Sequence, residues 1–157
     1  MKHLCGVWFF FISLWFSISP GVQAQSAAGE TSVIPGAERV PVYLPYLQGK
    51  KVAIFANQTS RIGSRHLVDS LLLLQVQIVK LFSPEHGFRG QAAAGEKVGN
   101  QTDPVTGLPI ISLYGKHLKP TPEDLADVDL IVFDVQDVGV RFYTYISSLQ
   151  YVLEAAL

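Results

Sequence analysis

The chain has 157 residues, a formal net charge of −1, and 16% charged against 48% hydrophobic residues. Its charges are balanced and scattered, which leaves no basic footprint for nucleic acid or an anionic membrane surface. One cysteine and four histidines, with no zinc-type spacing, exclude a disulfide framework and call for no metal or cofactor.

Met1-Lys2-His3 is a short basic start, and the stretch from Leu4 to Ile18 is almost wholly apolar. Ser19-Pro20-Gly21 breaks it, and Val22-Gln23-Ala24 supplies small residues where a signal peptidase cuts. Residues 1–24 are therefore expected to be a cleaved signal peptide. The apolar run is short of the roughly 20 residues that span a bilayer, so no stable membrane anchor is expected after cleavage. The only cysteine, Cys5, leaves with the signal. Residues 25–40 begin with the small, polar run QSAAGETSVIP and read as a flexible lead-in. Residues 41–157 read as one domain, long enough for a single core.

Within that domain four short apolar runs alternate with helical patterns. Lys51 to Ala56 exits into Asn57-Gln58-Thr59-Ser60, and Ser64 to Gln75 has helical spacing. Val76 to Phe82 exits into Ser83-Pro84-Glu85-His86-Gly87. Leu108 to Leu113 exits into Tyr114-Gly115-Lys116-His117. Thr121-Pro122-Glu123-Asp124 has the N-cap, the proline and the first-turn acids of a short helix. Asp129 to Phe133 exits into Asp134-Val135-Gln136-Asp137, followed by a helical pattern from Phe142 to Leu157 with no stop signal. A chain that stops on such a helix is expected to be a fragment. Strands apolar on both faces and separated by helices predict an α/β fold: a Rossmann-like parallel sheet with helices on both faces, incomplete at the C-terminus.

In such sheets ligands bind at the carboxyl ends of the strands. All four runs carry polar residues there: Asn57, Glu85, His86, Arg89, Tyr114, Asp134, Gln136 and Asp137. Glu85 stands between Pro84 and His86 on a connection, Ser83 to Gly107, that is long for a plain link and carries a second carboxylate, Glu96. Two carboxylates are what glycoside hydrolysis requires. The plainer alternatives stay open: Glu85 caps a helix or pairs with Arg89, and Glu96 pairs with Lys97 in solvent. Asp134 and Asp137 make a weak metal signal and an equally good hydroxyl-binding pair. His66 and His117 read as ordinary. Neither a G-x-G-x-x-G turn, a P-loop nor a G-x-S-x-G elbow is present.

The ordered motifs Asn57-Gln-Thr, Leu81-Phe-Ser-Pro-Glu-His-Gly-Phe-Arg-Gly90, Ala94-Gly-Glu96, Thr102 to Pro109, Ser112-Leu-Tyr-Gly115, Lys119-Pro-Thr-Pro122 and Val132 to Gly139 with Arg141 to Ile146 resemble one family closely. It is the exo-β-N-acetylmuramidase family of the NamZ type, long catalogued as the bacterial domain DUF1343. The resemblance runs from about Val52 to the last residue. It implies a Rossmann-like N-terminal domain, a smaller C-terminal domain absent from this chain, and a cleft between them. It implies release of terminal N-acetylmuramic acid from peptidoglycan fragments, sugars such as MurNAc-GlcNAc and muropeptides, in a bacterial periplasm or outside the cell. Carried over by position, Glu85 is the first catalytic carboxylate and Glu96 the choice for its partner, with Asp134 or Asp137 behind it. His86 and Arg89 would position Glu85 or bind the lactyl carboxylate. Asn57, Tyr114, Gln136 and Tyr143 would meet hydroxyl and acetamido groups. The rival readings are a non-catalytic muropeptide-binding module and a metal-dependent hydrolase built on Asp134, Asp137 and His86.

Overall fold

A computed structural model describes residues 33–90, 99–140 and 142–157. The expected signal peptide, most of the lead-in and Glu96 lie outside the described residues. Among the described residues no helix is long and apolar enough to cross a membrane.

Four strands lie where the apolar runs place them: β1 (Val52–Ala56), β4 (Ile78–Ser83), β6 (Pro109–Ser112) and β7 (Leu130–Asp134). β1 is buried at every residue, which explains why it is apolar on both faces. β4 and β7 flank it in parallel, and β6 runs parallel on the far side of β4. The two-residue β5 (Gln101–Thr102) pairs antiparallel with β6. The sheet order is β5-β6-β4-β1-β7, so the sheet is mixed and mostly parallel. A two-residue antiparallel edge has too little pattern to be read from sequence.

Helices cover both faces. On one, α1 (Val40–Leu47) and α2 (Leu67–Leu73) pack Leu47, Leu67, Val68 and Leu71 against Val52, Ile54, Ala56 and Leu81. On the other, α3 (Pro122–Leu125) and α4 (Tyr145–Ala155) bring Leu125 and Val152 to Ala53, Phe55 and Phe82. Phe55 and Phe133 stack there with centroids 4.5 Å apart. The start of α3 is a complete capping box, Thr121 Oγ1 accepting from Asp124 N and Asp124 Oδ2 from Thr121 N. A lysine in the middle of β4 is compatible with this face because α3 caps it: Lys80 Nζ donates to the Asp124 carbonyl at 2.7 Å and pairs with Asp127.

Two local readings change. The helix expected over Ser64–Gln75 begins only at Leu67. Ahead of it lies a tight antiparallel hairpin, β2 (Arg61–Ile62) and β3 (Arg65–His66), turned at Gly63 with φ +56°. Within the expected lead-in, Gly36–Glu38 forms a single 3-10 turn, which the Tyr43 hydroxyl ties to α1 by donating to the Ala37 carbonyl at 2.6 Å.

Candidate functional site at the carboxyl ends of the strands

β4 delivers Glu85 through a turn closed by Gly87 N donating to the Pro84 carbonyl at 3.1 Å. His86 occupies the third position of that turn at φ +70°, left-handed backbone in which an L side chain is strained. Such strain accumulates at binding and catalytic positions. From the end of β6, the Tyr114 hydroxyl donates to Glu85 Oε1 at 2.9 Å. That bond, chiefly, raises the tyrosine pKa and keeps the phenol a donor. Glu85, His86 and Tyr114 are all partly exposed, and the Glu85–Tyr114 pair brings carboxylate and phenol together at the sheet's edge.

Arg89, four residues further on, is engaged on several sides. Its Nε and Nη2 donate to the two oxygens of Asp103 at 2.8 and 2.7 Å, and Nη1 and Nη2 reach Asp69 at 3.3 and 3.0 Å. Asp103 is fully buried. Burial alone would raise its pKa; hydrogen bonds from Arg89 and Thr106 outweigh that and pull it down to about 2. Thr106 donates from both N and Oγ1 to Asp103 Oδ2. Asp103 therefore ties the start of the long connection, at Arg89, to its end at Thr106. Arg89 is thus held by Asp103 and Asp69, and what these contacts fix is the long connection. Gly90, also left-handed, is pressed against Gln58, where an added Cβ would come within 2.7 Å.

The loops leaving β1 and β7 form the other half of the rim. Asn57 is buried and organises its own turn: Oδ1 accepts from Thr59 N at 2.9 Å and Thr59 Oγ1 at 2.6 Å, and its N–H goes to Ser60 Oγ. Thr59 Oγ1 in turn accepts from Gln136 N at 3.0 Å, so the β1 and β7 loops are joined. Ser60 donates to the main-chain oxygen of Asp134. The Asp134 carboxyl is half-buried, and burial pushes its pKa up against the weaker opposing pull of Ser60. Asp137 is exposed and accepts from Gly139 N, a local turn; Tyr143 is 57% exposed. Among the described residues no three His, Cys, Asp or Glu side chains gather closely enough to hold a metal ion.

One pattern was not readable from sequence. Asn57 Nδ2, Ser83 Oγ, Ser112 Oγ and Asp134 Oδ2 are buried and have no hydrogen-bond partner among the described residues. All four stand at the carboxyl ends of the parallel strands, where Ser83 pairs in register with Ser112 and Ala56 with Asp134. A buried unpaired polar atom costs on the order of 1–3 kcal/mol, and such atoms concentrate where function holds them. Serines closing apolar strands give no signal that separates them from ordinary strand ends. His66, read as ordinary, is structural: Nε2 meets the Asn57 carbonyl at 2.9 Å, Nδ1 accepts from Val68 N, and its ring lies against Phe88. Burial lowers its pKa, so it serves as a neutral N-cap for α2.

Comparison with known proteins fits this geometry. The profile of the family described as "Exo-beta-N-acetylmuramidase NamZ, N-terminal" matches residues 52–157. The peptidoglycan beta-N-acetylmuramidase NamZ of Bacillus subtilis (strain 168) is 43% identical over 145 residues, covering 89% of this chain and 34% of that protein. Two crystal structures of DUF1343 family proteins from Bacteroides fragilis NCTC 9343 are similar, with TM-scores of 0.65 and 0.66 at 42% and 41% identity. They align over 74% and 77% of this chain, and 29% and 30% of their own. The chain thus spans about a third of the length of the relatives it matches. With its mostly parallel sheet and its strand-end motifs, it belongs to the exo-β-N-acetylmuramidase NamZ family, in the N-terminal domain of that family.

Proposed function

We propose that this chain supplies the wall of an exo-β-N-acetylmuramidase site that carries Glu85, acting on terminal N-acetylmuramic acid at the non-reducing end of peptidoglycan fragments. The observation that carries the reading is Glu85 itself. It is held by the Tyr114 hydroxyl at 2.9 Å on a strained turn at the carboxyl edge of the sheet, in a family whose Bacillus member is named for this cleavage. Glu85 protonates the departing glycosidic oxygen as general acid, and Tyr114 fixes the direction of its carboxyl group. His86 faces the substrate beside it. Glu96 serves as the second carboxylate, on the connection whose ends Asp103 ties together. The substrate lies outside the cytoplasm, in keeping with the export signal expected over residues 1–24.

The test is release of chromophore from para-nitrophenyl N-acetylmuraminide by the chain and by its Glu85→Gln variant, with the full-length Bacillus relative alongside. The expected result is turnover by the relative that falls at least 100-fold when its matching glutamate becomes glutamine; turnover by the chain as well, lost in its Glu85→Gln variant, would mean that this wall carries the whole apparatus. Turnover that survives the substitution removes Glu85 from the mechanism. The second reading, a muropeptide-binding module, is favoured by one fact: the chain spans only 34% of that relative. Calorimetric binding of MurNAc-GlcNAc without turnover, beside an active relative, would select it.

A further inference from the structure

The hairpin ahead of α2 carries two arginines that lie outside the sequence motifs, Arg61 on β2 and Arg65 on β3. Its tight turn at Gly63 brings both to the wall of one cavity of about 410 Å³. Ser64, His66, Asp69 and Arg89 stand in the same wall. Three of the chain's five arginines therefore share one hollow, in a protein whose formal net charge is −1.

The three guanidinium groups are in different conditions. Arg89 is already committed, to both oxygens of Asp103 and to both of Asp69. That pairing also neutralises Asp69, the acid in the wall. Arg61 donates from Nη2 to the Ser64 carbonyl, which steadies it across the turn and leaves its other N–H groups without an acceptor among the described residues. The Arg65 side chain is exposed and has no hydrogen bond or ion pair among the described residues. His66 adds no charge, since both its ring nitrogens are engaged by the fold and burial lowers its pKa. The cavity thus presents two cations that the protein leaves uncompensated.

The chain itself shows what one guanidinium can do. Arg89 satisfies both oxygens of the Asp103 carboxylate with a single fork, at 2.8 and 2.7 Å. A carboxylate entering the cavity would in the same way occupy one of Arg61 and Arg65 and leave the other unanswered. A phosphate group, with three or four oxygens and close to two negative charges, answers both. We propose that the cavity at the β2–β3 hairpin is a phosphate-binding site, in which Arg61 and Arg65 clamp a phosphate dianion, free or as a monoester, beside Ser64. The site shares no residue with the Glu85–Tyr114 pair and does not rest on the hydrolase reading.

Amide and arginine Nε NMR spectra of the chain, titrated with inorganic phosphate at about pH 8 and constant ionic strength, test it. Saturable shifts centred on Arg61, Gly63, Ser64 and Arg65 are expected, with acetate bound roughly tenfold more weakly. Arg61→Gln and Arg65→Gln should each weaken phosphate about fivefold, and the same spectra show that each variant is folded. Lys50→Gln removes an exposed cation elsewhere and should leave the affinity as it was. Methyl phosphate and dimethyl phosphate distinguish the source of the dianion. Methyl phosphate bound as tightly as inorganic phosphate supports the site and identifies a monoester ligand. A roughly tenfold preference for inorganic phosphate supports it and identifies the free ion. Acetate or dimethyl phosphate bound as well as phosphate, shifts that never saturate, or an affinity indifferent to both arginines overturns the site.

Discussion

Arg89, Asp69 and Asp103 show how one residue's role depends on partners that sequence distance conceals. Arg89 at the end of a glycine-rich turn reads as a hand held out to a substrate carboxylate. In the fold it holds Asp103, 14 residues on, and Asp69, 20 residues back. Nothing in the spacing says which acids reach it, because the contacts depend on how the long connection returns. The sign of the resulting pH effect is fixed. The Asp103 pKa falls from 3.8 to about 2 on folding, so its contribution is complete above the unfolded value and disappears as pH falls toward 2. That contribution is on the order of 2 kcal/mol. Asp103→Asn should cost about 3 kcal/mol at pH 7, because Arg89 and Thr106 lose a charged acceptor in a buried place. It should also flatten the decline in melting temperature between pH 4 and pH 2, and an unchanged slope would deny the pair its weight. His86 gives a contrasting expectation. At φ +70° the imidazole is retained against its backbone preference, so His86→Gly should raise stability by up to about 1 kcal/mol in chemical denaturation. On the function proposed above, the same change should also weaken muramic acid binding, whereas a loss of stability would place His86 in the packing. Glu85 was legible because its neighbours are unusual for a turn; Ser83 and Ser112 were not, because theirs are ordinary.

At the scale of elements, legibility follows burial. β1 and β4 were readable to within a residue or two because the sheet buries them on both faces, and β6 and β7, less deeply buried, because their apolar runs are just as continuous. α3 was readable from its cap alone. Removing the capping hydroxyl with Thr121→Ala should lower stability by about 1 kcal/mol, measured by urea titration. The effect should exceed that of an exposed substitution, since α3 also supplies the carbonyl that receives buried Lys80. The start of α2 was misjudged for a physical reason. Leu67, Val68 and Leu71 set a helical period, but Gly63 and the Arg61–His66 and Ile62–Arg65 pairings divert the preceding residues into a hairpin. His66 then does the capping that a serine would ordinarily do.

For the whole molecule, the arrangement puts two chemically different places on one rim. One is the Glu85–Tyr114 pair beyond β4 and β6, and the other the crevice beyond β1 and β7, lined by Thr59, Gln136 and the turn Gly36–Glu38. Asn57, Thr59 and Ser60 brace the second, since the β1 loop bonds to the β7 loop through Gln136 and Asp134. Fold class followed from the sequence, and so did the gathering of polar strand-end residues on one edge, because the strands run parallel. The division of that edge did not follow, since it depends on the crossover from β6 to β7 and on the turn at Gly36–Glu38.

The sheet order has a further consequence, for colloidal behaviour. β7 reads LIVFD, is only half-buried along its length, and among the described residues has a strand neighbour on one side alone. A short apolar strand with an open row of N–H and C=O groups is a template for another strand, and no lysine or proline within it discourages the pairing. Sedimentation velocity of the chain should therefore show self-association that grows with concentration. A concentration-independent monomer would mean that the edge is already shielded.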